Sequence, residues 1–109
     1  MSIEYAITLE NKNYFAAVKV LSAAFQPFSE TYSFKSDDNG FSLCGDNPKW
    51  SDVLQIFINT ADSNISVLPV GEPYLYCCLN NDGRERKQMI ELIKATFGNI
   101  PCSYSIDEL

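Results

Sequence analysis

The sequence predicts an α+β domain: a mostly antiparallel sheet of about six to seven strands, with two helices packed on one face. Three observations predict it. One segment near each end of the chain carries apolar residues at helical spacing. Between them, short runs alternate apolar and polar residues. Clusters rich in Asp, Asn, Gly and Pro punctuate those runs, at 37–40, 62–64 and 71–73. The resulting order is β-α-β-β-β-β-β-α-β, read as one domain over residues 1–109, a length sufficient to close its own core.

Each element has a local reason. Ile3, Tyr5, Ile7 and Leu9 alternate with Glu4, Thr8 and Glu10, the pattern of a half-buried strand. Asn11 or Asn13 then caps a helix. Tyr14, Val18, Leu21 and Phe25 form its apolar stripe, Ala17, Val20 and Ala24 widen it, and Pro27 stops it. Residues 31–43 read as a hairpin, with Tyr32 and Phe34 before Asp37-Asp38-Asn39-Gly40 and Phe41 and Leu43 after it. Asn-Gly is expected to supply positive φ angles there.

Residues 53–59 are apolar on both faces, which predicts a central strand covered on both sides. Asp62-Ser63-Asn64 turns the chain into a further strand over 65–70, where Pro69 points to an edge or a strand end. Gly71-Glu72-Pro73 leads to a strand over 74–80. A second helix follows, capped by Asp82 with Glu85 three residues on, and ended by Gly98. Its stripe is Met89, Ile90, Ile93 and Phe97, and Arg84, Arg86 and Lys87 crowd its first turn. Cys102 to Ile106 alternate as a last short strand.

Composition excludes several kinds of function. The chain has no histidine, which removes Ser-His and Cys-His nucleophile pairs and the commonest metal ligand. The acids mostly fall in turns, whereas a tuned general acid needs burial or a like-charged neighbour. Asp37-Asp38 is a neighbouring pair, yet turn chemistry alone explains it. Gly40 and Gly45 have the spacing of a phosphate loop, but Asp46 and Asn47 stand where Lys and Ser or Thr are required. No calcium loop and no zinc motif is present, and no cofactor is expected. Bases are outnumbered, so nucleic acid is not an expected partner. Cys44, Cys77, Cys78 and Cys102 fit no disulfide framework; Cys77 and Cys78 should point to opposite faces. No apolar run approaches the roughly 18–20 residues of a membrane span, and residues 1–5 lack the features of a signal peptide. A cytoplasmic protein is expected.

The charge is unevenly distributed. Residues 1–36 and 83–109 are each balanced, whereas 37–82 hold seven acids and one base, the whole net charge of −6. A polarised field of this kind steers association with a basic partner. In a simple meander, Asp37, Asp38, Asp62 and Asp82 would gather at one sheet end, and Asp46, Asp52 and Glu72 at the other. Trp50 lies among these acids, as a partner anchor or as a cap on the core.

A small acidic α+β domain without catalytic apparatus resembles the immunity proteins of bacterial toxin–immunity pairs, including those of contact-dependent growth inhibition. The resemblance is one of profile over the whole chain, without a signature motif, so it transfers no functional residue. It implies stoichiometric inhibition of a cognate toxin domain with a basic surface, such as a nuclease. Asp37, Asp38, Asp46, Trp50, Asp52, Asp62 and Glu72 are the residues expected at that interface. Three other readings make different demands. A structural or adaptor subunit needs an edge strand through which to dimerise, the one containing Pro69 or the C-terminal one. A DNA-mimicking inhibitor needs acids at phosphate-like spacing along one face. A small-molecule binder or modest enzyme needs a deep cavity lined by Tyr5, Tyr32, Tyr76 or Cys78.

Overall fold

The computed structural model describes residues 2–45, 52–81, 83–100 and 102–109, with Asp52 described by its backbone alone. Strand β1 (Ile3–Leu9) leads into helix α1 (Tyr14–Phe25) and a 3₁₀ turn at Gln26–Glu30. Four strands follow: β2 (Ser33–Ser36), β3 (Gly40–Cys44), β4 (Asp52–Thr60) and β5 (Pro73–Leu79). Helix α2 (Gly83–Gly98) and strand β6 (Tyr104–Glu108) complete the order. One six-stranded sheet runs β2-β3-β4-β5-β1-β6, antiparallel at every pair. Strands β2 to β5 form a meander, and β1 sits between β5 and β6.

Both helices pack on one face of this sheet. Their apolar stripes and the inward residues of β1, β3, β4 and β5 merge into a single core. Tyr14, Ala17, Val18, Leu21 and Phe25 of α1 are buried, as are Met89, Ile93 and Phe97 of α2. They meet Ile7, Leu43, Leu54, Ile56, Leu75 and Leu79 from the sheet. Each fully buried Leu, Ile or Phe contributes roughly 1.5–3 kcal/mol relative to exposure, which makes this layer the main source of stability. The Asn13 side chain accepts from Ala16 N and caps α1. Val20, read as part of the stripe, is instead exposed on the solvent side of α1. No helix among the described residues is long and apolar enough to cross a membrane.

Four local expectations are corrected. Residues 65–70 are turns, not a strand, so among the described residues the sheet has six strands and not seven. Asp62 Oδ1 accepts from Asn64 N at 2.9 Å and starts a turn. Gly71 N then bonds back to Ala61 O, and Ala61 N to Glu72 O, which closes the connection on itself. Ile65 and Leu68, three apart, fold together onto Ala6 and Tyr74; a strand would have put them on opposite faces.

The β2–β3 turn does not use positive φ. Asp37 Oδ1 accepts from Asn39 N and Gly40 N at 2.8 and 3.0 Å, and Asp37 N donates to Gly40 O. Among the described residues only Lys12, Gly71 and Gly83 have positive φ. Gly40 is required for a different reason: a Cβ there would lie 2.1 Å from Ile56 O and 2.6 Å from Phe57 Cα. Here β3 approaches β4 too closely for any side chain.

Strand β4 is central, but it is not covered on both sides. Leu54 and Ile56 are buried beneath the helices, whereas Gln55 and Phe57 on the opposite face are half-buried. The distribution of acids also changes. With 65–70 lost as a strand, Glu72 moves to the sheet end that holds Asp37, Asp38 and Asp62. The expectations for Asp46, Trp50 and the Asp82 cap lie outside the described residues.

Candidate functional site: the open face of the sheet

The face of the sheet opposite the helices is built by simple alternation. The pairing registers align Lys35, Ser42, Gln55, Cys78 and Glu4 in one row across five strands. The next row runs Gly40, Phe57, Tyr76, Ala6, Asp107. Between the small residues Gly40 and Ala6, the rings of Phe57 and Tyr76 lie with centroids 5.0 Å apart. Cys77 faces the core and Cys78 the open side, as the adjacent-cysteine argument predicts.

The 61–72 connection folds over one corner of this face and forms a groove of about 300 Å³ with β1 and β5. Glu4, Asn59, Asp62, Tyr74 and Tyr76 line it, and Glu108 borders it at the β6 edge. The polar groups are held in place. Tyr76 donates its hydroxyl to Glu4, Asn59 Nδ2 donates to Tyr74 Oη at 3.1 Å, and the Asx turn orients Asp62. Burial is the largest reason that the Tyr76 phenol is pushed up, followed by its bond to Glu4. Tyr74 is also raised, by burial first; the Asn59 bond opposes this, and the charges of Asp62 and Glu4 add to it. After burial, the Glu4 charge is the contribution that the two tyrosines share. No lysine or arginine is found among the described residues lining the groove.

The acids singled out in the sequence are split up by the fold. Asp62 lies in the groove. Asp37 and Asp38 sit exposed at the β2–β3 turn, where Lys35 borders the depression on one side and Lys19 that on the other. Glu72 forms an ion pair with Lys12 at 3.2 Å, an exposed pair worth roughly 0–1 kcal/mol. Asp52 opens β4 opposite Cys44. Glu4, Asn59 and Tyr74 were not among the expected interface residues. Glu4 did carry a signal, since its alternation with Ile3 and Tyr5 turns it away from the core.

Chemically, this face offers fixed carboxylates beside the half-buried ring of Tyr76, a setting suited to lysine or arginine through hydrogen bonds and cation–π contact, while Tyr74 is buried beneath Ile65 and Leu68. Burial pushes the Cys77 thiol up to about 12, followed by the neighbouring Cys78 charge, so Cys77 is a packing residue at neutral pH. Among the described residues no group of three or more His, Cys, Asp or Glu is placed to hold a metal ion. Tyr5 and Tyr32 pack on the helix side of the sheet, whereas Tyr76 and Cys78 lie on the open side, so these four do not line a common cavity. No protein-family model matches the chain, and no curated protein or solved structure shows significant similarity to it.

Proposed function

We propose that this protein is a non-catalytic binding domain that neutralises a basic toxin domain, in the manner of a cytoplasmic immunity protein. The observation that carries the reading is the groove on the open sheet face. Glu4 and Asp62 stand there beside Tyr74 and Tyr76, with no basic residue among the lining residues described. A nuclease-type toxin needs a basic surface to hold its polyanionic substrate, and carboxylates pre-fixed by hydrogen bonds meet such a surface at low entropic cost. The half-buried Tyr76 ring supplies anchor area that isolated charges lack. Asp37 and Asp38, at the same end of the sheet as Asp62, extend the field that steers encounter. In this reading the interface centres on Glu4 and Asp62, with Asp37 and Asp38 at its rim and Glu72 engaged by Lys12.

The test is co-expression with basic nuclease-type toxin domains, scored by host growth, together with the affinity of the purified pair at two salt concentrations. The wild-type chain should restore growth. The double variant Glu4→Lys/Asp62→Lys should bind about 10- to 100-fold more weakly, with a reduced salt dependence. Unchanged protection by that variant would remove the groove from the interface. A chain that binds none of the toxin domains would overturn the reading itself.

A further inference from the structure

We infer that the edge of β6, unpaired among the described residues, accepts an extended lysine- or arginine-bearing segment of the partner as a seventh strand; this rests on the binding reading above and specifies its geometry. The hydrogen-bond ladder determines which groups are available. Leu109 N donates to Glu4 O at 2.9 Å, and Glu10 N donates to Ser103 O at 3.0 Å. Between those two bonds, antiparallel alternation directs the backbone of Ser105 and Asp107 toward β1. The N–H and C=O groups of Tyr104, Ile106 and Glu108 then point away from the sheet, and β6 is the last strand in its order. An added strand finds three donors and three acceptors in a straight row.

The opposite edge is poorer. Strand β2 has four residues, and the Asp37–Gly40 bond leaves only Phe34 and Ser36 with outward-facing backbone groups. The 3₁₀ turn beside it takes up the N–H groups of Thr31 and Tyr32 through Phe28 O. Strand β6 is also held firmly from behind. Tyr104 stacks on Phe97 of α2 at 5.1 Å, and Ile106 packs on the core. A strand already ordered loses little entropy when a partner joins it.

Charge selects the occupant. Asp107 lies on the open face of β6, and Glu108 lies on the other face near Tyr5. An incoming strand therefore meets Asp107 on the open side and Glu108 on the other, where Arg86 of α2 also acts on Tyr5. Glu4 stands one strand further in on the open side, where the acids prevail. Basic side chains at alternating positions satisfy this arrangement. The same acids, with a net charge of −6 per chain, oppose pairing with a second copy.

The experiment is residue-resolved amide hydrogen exchange on the full chain, free and with an eight-residue peptide in which lysine alternates with threonine and valine. In the free protein, Tyr104, Ile106 and Glu108 should exchange much faster than Ser105 and Asp107. With the peptide, those three amides should slow at least tenfold. A peptide N-methylated at alternate backbone nitrogens should give no such protection, and Asp107→Lys/Glu108→Lys should weaken binding about tenfold. Peptide binding that leaves the three amides unprotected would overturn strand addition while the groove reading stands. Failure to bind at low salt would overturn it as well. Protection of the three amides in a chain that neutralises no toxin would defeat the immunity reading alone.

Discussion

The Tyr76 hydroxyl donates to the Glu4 carboxylate across the β1–β5 seam, from a position diagonal to it on the open face. This bond joins one aromatic wall of the groove to one of its charges. It also explains why an exposed glutamate on β1 keeps a defined position.

Tyr76→Phe keeps the ring against Phe57 and removes the hydroxyl's bond to Glu4 together with its interaction with Cys78. The expected loss of stability is about 1 kcal/mol, since the bond is to a charged acceptor but lies partly in solvent. Urea unfolding measures that loss. The affinity for a basic partner should fall several-fold in the same variant, because Glu4 is no longer held. Equal affinity in the two proteins would show that the bond serves the fold alone.

Stability should decline in alkali. Burial first, then donation to Glu85, raises the Tyr32 phenol from 10.0 to about 12. Above pH 10 the unfolded chain releases this proton before the folded one does. The stabilisation is therefore complete below pH 10 and is lost as pH rises through about 12. Tyr5, Tyr74 and Tyr76 shift in the same direction and add to the slope. Urea midpoints at several pH values between 9 and 12 should show the decline, and Tyr32→Phe should flatten it. An unchanged slope in that variant would remove Tyr32 as a source.

Gly40→Ala should destabilise by at least about 2 kcal/mol, because its Cβ would meet the β4 backbone at 2.1 Å and a strand backbone yields little. Gly71→Ala provides the contrast. Its φ of +93° is unfavourable for alanine, but open space surrounds it, so about 1 kcal/mol is expected. Denaturant midpoints of the two variants give the order directly. A milder effect at Gly40 than at Gly71 would contradict the close approach of β3 to β4.

Much of the fold was legible because its signals are local. The Tyr14–Phe25 stripe, the Asn13 cap and the alternation of Ile3, Tyr5, Ile7 and Leu9 each depend on neighbours within a few residues. The misread segments are those where a local signal had two meanings. Ile65 to Val70 has strand-like composition, yet the Asp62 turn and the bonds between Ala61 and residues 71–72 coil it over the sheet. Gly40 looks like a turn glycine and is a contact glycine. The candidate site was less legible, because block-wise charge counting assigned Glu4, Asp107 and Glu108 to balanced segments.

By itself the sequence determined the α+β class, the two helices, the facing of Cys77 and Cys78, and an excess of acid with no histidine to accompany it. Periodicity and composition suffice for these. Only the tertiary structure decided which acids stand together. Inserting β1 between β5 and β6 brings Glu4 beside Tyr76 and near Asp107, from opposite ends of the chain, while the 61–72 connection carries Asp62 over to meet them. Strand order and loop path depend on burying one common apolar face, and that long-range term leaves no periodic mark in the residues it brings together.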